Sequence, residues 1–224
     1  MADGISCFLL TRQWRDVGDD LQLVFWAASD RGPVRVVVDD QKAVCFVGRD
    51  VADADIGVFG GAPTRRPLDL RTLDGAPVDG LYFRRQRDLA DTRDALRGRG
   101  ITLYESDIKP NDRYLMERFV HGAFAVEGEP LQRDRYLEIR NPRLRRDTYR
   151  AAMRRIALDV ESDGLSGRLY SIAVHGDGLA TVFIVSDTPV HVDDARVVVC
   201  ADEGALLETF FRWLRDWDPD LILG

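Results

Sequence analysis

Arg155-Ile156-Ala157-Leu158-Asp159-Val160-Glu161-Ser162 is the stretch on which the reading of this chain turns. Its apolar residues recur at the period of a β-strand, in which side chains two apart share a face. Ile156, Leu158 and Val160 are therefore expected to face one layer, and Ala157, Asp159 and Glu161 the other. Two carboxylates on a mostly apolar strand are costly to bury unless cations neutralise them. Hard divalent ions such as Mg²⁺ or Mn²⁺ take carboxylate oxygens. Two such ions about 3.5–4 Å apart activate water and stabilise the leaving oxygen in phosphodiester cleavage. Asp159 and Glu161 are thus the candidate metal ligands and catalytic residues. Taken alone, the D-x-E spacing also fits a solvent-facing pair near a sheet edge.

Downstream of that strand the pattern stays regular. Leu169 to His175 and Ala180 to Ser186 read as a hairpin around Gly176-Asp177-Gly178. Arg196 to Cys200 is a short apolar strand, and Asp202 is a good N-cap for the helix that follows. Leu206, Phe210, Trp213 and Trp217 make a stripe at i, i+4, i+7 and i+11, so one face of that helix packs on a sheet. Asp218-Pro219-Asp220 reads as a turn and Leu221-Ile222-Leu223 as an apolar strand. Such a strand is expected to be buried and paired on both sides, as in a chain that continues. The order strand, hairpin, short strand, amphipathic helix, apolar strand is the opening of a ribonuclease H-like fold.

Upstream, Ile5 to Leu10, Leu21 to Ala28, Val34 to Val38 and Ala43 to Val47 are β-rich runs separated by turn-forming residues. They predict an antiparallel meander. Leu81 to Arg84 and Ile101 to Glu105 read as strands, with a helix over Leu89 to Leu96 between them. Pro110 opens a second helix with Leu115 and Phe119 on one face, and Gly122 ends it. Phe124 to Val126 is a further short strand, so an α/β layer is expected beside the meander. Arg133 to Arg155 holds nine arginines and few acids, and reads as the connector between two domains.

Composition narrows the class. The chain has 224 residues, 45% hydrophobic and 31% charged, enough to bury a core without disulfides or metals. Cys7, Cys45 and Cys200 are far apart and flanked by apolar residues, which predicts buried free thiols in a reducing compartment. No run approaches a membrane span and no leader pattern opens the chain, so a cytoplasmic location is expected. A net charge of -7 argues against nucleic-acid binding through bulk charge but leaves room for a local basic stripe. The arginines of the connector could supply one, or form a solvated face. Trp14, Tyr82 and Tyr104 sit in or beside apolar runs and read as core packing rather than base-stacking platforms. His121, His175 and His191 show no metal-ligand spacing.

Two motifs carry a family resemblance. Leu158-Asp159-Val160-Glu161-Ser162 resembles the first exonuclease motif of family B DNA polymerases, with Ser162 where Thr is usual. Asp218-Pro219-Asp220-Leu221-Ile222-Leu223-Gly224 resembles the D-P-D-[VI]-I-x-G segment leading into the second exonuclease motif. Within that family the bacterial polymerase II branch is most similar. Its N-terminal domain has stretches like Thr11–Asp16, Gly80–Tyr82, Tyr104–Asp107, Arg113–Phe119 and Val126–Gly128. The resemblance covers most of the chain.

It implies an α/β (α+β) chain. A mixed, β-rich α/β N-terminal domain spans residues 1–150, and a partial ribonuclease H-like 3′-to-5′ exonuclease domain spans 151–224. It also implies a DNA-directed DNA polymerase of replication and repair, with Asp159 and Glu161 holding Mg²⁺ or Mn²⁺ in a two-metal proofreading site. The partners implied are a DNA primer-template, its single-stranded 3′ end, nucleotides and a sliding clamp, and no membrane. The remaining residues of the second and third exonuclease motifs, and the palm aspartates, have no counterpart in these 224 residues. The chain alone is therefore expected to be catalytically incomplete. Asp163 adds a carboxylate next to the motif and is expected to serve the turn. A second class stays open: a non-catalytic nucleic-acid or protein-binding module that keeps a nuclease-like shell.

Overall fold

The structure, a computed structural model, describes residues 4–57 and 59–224. The chain divides into two compact units, Met1–Ala151 and Ala152–Gly224.

The first unit opens with β1 (Ile5–Val17), β2 (Asp20–Ala28) and β3 (Val34–Gln41), an antiparallel meander. Gly18 sits at positive φ (60°) in the two-residue turn between β1 and β2. A tight hairpin of this kind wants glycine there, and both strands run further into the acidic turn than their sequence predicts.

The meander stops at three strands. β4 (Ala43–Gly48) was expected as the fourth but belongs to a second sheet. Only Lys42 separates it from β3, too little for a hairpin return, and Asp40 at φ 54° redirects the chain. A short helix α1 (Asp53–Ile56) follows, then β5 (Thr64–Arg71) and β6 (Pro77–Phe83), helix α2 (Gln86–Gly98) and β7 (Leu103–Tyr104). The second sheet runs β5-β6-β4-β7. β5 escapes the pattern because it is polar, carries Pro67 beside a register shift, and lies at the sheet edge, where proline is tolerated.

Helix α3 (Pro110–Met116) begins with proline at its first turn, as predicted, but ends earlier than expected. Phe119 lies outside it at φ 55° and is exposed, so it does not share a buried face with Leu115. Then come β8 (Ala123–Glu127), β9 (Pro130–Gln132), β10 (Leu137–Arg140) and β11 (Arg143–Arg146). β10 pairs in parallel with β3, and β11 pairs with β8, giving a first sheet ordered β11-β8-β1-β2-β3-β10-β9.

Leu137–Arg140 and Arg143–Arg146 within the arginine-rich segment are therefore sheet rather than connector, while the division between the two units falls later in it, after Ala151. Leu137, Ile139 and Leu144 bury their side chains between the charges. One apolar cluster, with Phe25, Phe83, Phe124, Leu81, Leu89 and Leu96 fully or almost fully buried, unites both sheets with α2 and α3. Cys7 and Cys45 lie in it as free thiols, and burial pushes both up to about 12, so neither is a ready nucleophile.

The opposite face of the first sheet is closed by charge. Glu138, 3% exposed, receives Arg35 at 2.8 Å and Arg133 at 2.9 Å, while Asp39 receives Arg140 at 2.9 Å and Gln22 at 2.6 Å. α2 has no capping side chain of its own; the Asp16 carboxylate accepts the N–H groups of Gln86 and Arg87 instead.

The second unit holds β12 (Arg155–Ser162), β13 (Leu169–Gly176), β14 (Leu179–Val185), β15 (Arg196–Cys200), helix α4 (Glu203–Trp217) and β16 (Leu221–Leu223). Its sheet runs β15-β14-β13-β12-β16, with β12–β16 and β14–β15 parallel. Asp202 caps α4 by accepting the Ala205 N–H at 2.8 Å. Leu206 and Phe210 bury against Ile156, Ile172, Val174 and Phe183 in a core of its own. Each such side chain contributes about 1.5–3 kcal/mol. β16 departs from expectation: it is an edge strand with half-exposed side chains.

The hairpin between β13 and β14 depends on Gly176. A Cβ there would stand 2.2 Å from the Arg155 carbonyl oxygen, and its φ is 153°. Gly176→Ala is expected to destabilise this unit by at least about 1–3 kcal/mol, the usual cost of forcing atoms into packed backbone. Urea unfolding measures it; an unchanged midpoint would show that β12 and β13 separate freely here.

Candidate metal centre

β12 sits between β13 and β16, and its two faces differ. Ile156 faces α4 and is buried, whereas Asp159 and Glu161 are exposed on the face α4 leaves open. Across the antiparallel ladder Asp159 stands opposite Ala173, Ala157 opposite His175 and Glu161 opposite Ser171. Ala157, Ala173, His175, Ala180 and Val182 help to line a shallow groove of about 250 Å³ that reaches Asp159. Small residues thus flank the carboxylates and leave the groove open. The ladder shifts register between Glu161 and Ser162, a bulge at the end of the acidic pair. Bulges re-aim side chains and recur beside active sites.

The donor set suits a hard cation. Two carboxylates on one open face supply oxygen ligands, and Mg²⁺ is commonly held by one or two carboxylates together with waters and substrate phosphates. No third carboxylate joins them: among the described residues no group of three or more His, Cys, Asp or Glu could hold a metal. Asp163, next in sequence, is committed to its turn. Its carboxylate accepts the Ser166 N–H at 3.0 Å, the Arg168 N–H at 3.3 Å and the Ser166 hydroxyl.

The other candidates sort differently from their sequence reading. Arg133, Arg140 and Arg145 spend their charge on Glu138, Asp39 and Glu127. Arg154 and Arg155 face Asp218 and Asp177. Trp14 and Tyr104 are not core residues but are each more than a third exposed. Trp14 lines a groove of about 530 Å³ with Arg12, Lys109 and Asn111. Tyr104 lines another of about 750 Å³ with Phe46 and Arg113.

Asn111 is the residue that sequence reasoning missed. It is 3% exposed, and its Oδ1 has no hydrogen-bond partner among the described residues. Nothing in Pro110-Asn111-Asp112 signals burial, because a polar residue in a first helical turn is ordinarily solvated.

Comparison with known proteins gives matches of three kinds. A family model described as "DNA polymerase II, N-terminal" matches residues 7–42. The chain is similar to DNA polymerase II of Escherichia coli (strain K12), at 34% identity over 97% of this chain. It spans 28% of that relative's length. Among solved structures it is similar to the family B DNA polymerase of the hyperthermophilic archaeon Pyrobaculum calidifontis. That match has a TM-score of 0.70 and 16% identity, over 97% of this chain and 30% of the other. The structural likeness shows a shared fold.

Proposed function

We propose that this chain, similar over nearly its whole length to the N-terminal part of DNA polymerase II, serves as that part of a DNA-directed family B DNA polymerase with 3′-to-5′ proofreading. Residues 1–150 are its N-terminal domain and residues 151–224 the opening of its ribonuclease H-like exonuclease domain. The observation that carries the reading is the placement of Asp159 and Glu161 on the open face of β12, ending at a bulge.

In this reading both carboxylates would hold Mg²⁺ or Mn²⁺, which would acidify a water and neutralise the phosphate. The protein's own share is to present the two oxygen donors on a fixed strand. It also leaves a shallow wall of small side chains beside them, where an unpaired 3′ nucleotide can lie. The polymerase acts on a primer-template and nucleotides in the cytoplasm, in replication and repair, with a sliding clamp as a further partner. No helix among the described residues is long and apolar enough to cross a membrane.

Two carboxylates do not place two ions, so the 224-residue chain by itself is expected to excise no 3′ nucleotides. Incubation of the purified chain with single-stranded DNA and Mg²⁺ tests this. Shortening abolished by Asp159→Ala would show a complete site and overturn the division of labour.

A further inference from the structure

Two turns grip the start of the strand that carries the acidic pair. The Arg154 N–H donates to the Asp220 carboxylate at 2.9 Å, and the Asp220 N–H donates back to the Arg154 carbonyl at 2.9 Å. The Leu221 N–H reaches the same carbonyl at 3.2 Å. On the other flank the Arg155 N–H donates to the Asp177 carboxylate at 2.8 Å.

These bonds tie down the start of β12, whose register in the sheet is set by its six-pair ladder to β13. β16 pairs with only Arg155, Ile156 and Ala157, and a three-residue parallel ladder is weak by itself. The reciprocal bond between Arg154 and Asp220 fixes which residue of β12 meets Leu221. Asp218 adds less: its carboxylate is 70% exposed and 3.5 Å from Arg154, an ion pair of small worth in water.

We propose that Asp220 is a positioning residue for the Asp159–Glu161 metal site, holding the start of β12 from one side as Asp177 does from the other. The proposal rests on the reading of Asp159 and Glu161 as metal ligands. Asp220 touches neither metal nor substrate; it acts through the Arg154 backbone.

The test is Mn²⁺ binding to the full-length polymerase without DNA, followed by electron paramagnetic resonance. The Asp159→Ala/Glu161→Ala protein defines the signal that belongs to this site. Asp220→Ala is expected to weaken that signal's affinity about tenfold, the scale seen when groups that orient metal ligands are removed. Asp220→Asn keeps an oxygen for the Arg154 N–H and should stay within about twofold of wild type. Asp220→Glu keeps the charge but moves the oxygen, and should weaken binding as Ala does, which keeps the test open if the Ala protein does not fold. Primer extension should be unchanged throughout.

Wild-type affinity in Asp220→Ala or Asp220→Glu, with the site lost in the double variant, overturns the positioning role alone. Equal losses in Asp220→Asn and Asp220→Ala overturn it too, since charge and not the hydrogen bond would then matter. If the double variant loses no Mn²⁺, the metal-site reading fails and the proposal falls with it.

Discussion

On the proposed function, Asp159→Ala/Glu161→Ala in the full-length polymerase is expected to cut 3′-end excision by at least about 100-fold. Removing groups that merely orient metal ligands already costs about 10–100-fold, and the ligands themselves should cost no less. Templated synthesis should continue at close to the wild-type rate, because the reading assigns it to separate aspartates outside these 224 residues. Folding should survive as well. Both carboxylates are exposed, so truncating them opens no cavity and strands no buried group. Excision of a mispaired primer end and extension of a matched one, measured side by side, decide the matter. Excision at the wild-type rate would mean that neither residue is a ligand.

The second large effect concerns stability. Glu138 is almost fully buried and joins β10 to β3 through Arg35, with Arg133 at its other oxygen. Removing one partner of a buried pair leaves charge uncompensated, at about 3–5 kcal/mol. Arg133 is 45% exposed and can turn to water, so Glu138→Ala is expected to cost about 3 kcal/mol, the lower end of that range.

The same cluster sets an acid limit. The hydrogen bond from Arg133, with the charges of Arg133, Arg35 and Arg140, holds the Glu138 carboxyl below its ordinary value of 4.5 against the opposing effect of burial. A carboxylate lowered on folding contributes stability that is complete above its unfolded value. That stability drains away as pH falls through the lower, folded value. Asp79, held by Arg49 and Arg65 against burial, titrates in the same sense. The first unit should therefore lose stability below about pH 4.5. Glu138→Gln should flatten that acid limb of the denaturation midpoint against pH. A limb as steep as wild type would place the acid-sensitive groups elsewhere.

The elements legible in the sequence were those whose period was unambiguous. β12 shows strand alternation from Ile156 to Glu161, and α4 shows a four-point stripe behind an Asp202 cap. In α4 local propensity and burial agree; in β12 they agree at Ile156 and Leu158, while Val160 is half-exposed. The face taken by Asp159 and Glu161 was legible for the same reason, since a strand fixes which face each side chain takes.

The sheet switch at β4 was not legible, because Ala43–Gly48 is equally apolar whichever sheet it joins. β10 and β11 were obscured by their arginines, although Leu137, Ile139 and Leu144 alternate correctly beneath them. Asp163 could be placed by its turn, but Asn111 could not be placed at all, because its burial is decided by groups brought from β1.

The order of strands in the first sheet has a consequence for synthesis on the ribosome. β1, β2 and β3 emerge first and can zip together locally, yet β8 must pair with β1 and β10 with β3 before either flank is closed. Arg35 waits for Glu138, 103 positions later. At about 5–20 residues per second that wait lasts roughly 5–20 s. Through it the nascent meander presents two open strand edges and an uncovered apolar face, the surface on which neighbouring chains pair. The charged residues along the outer face of β1 and β3 then serve a second purpose: Arg15, Arg35 and Asp39 keep the early ribbon hydrated until its late partners arrive.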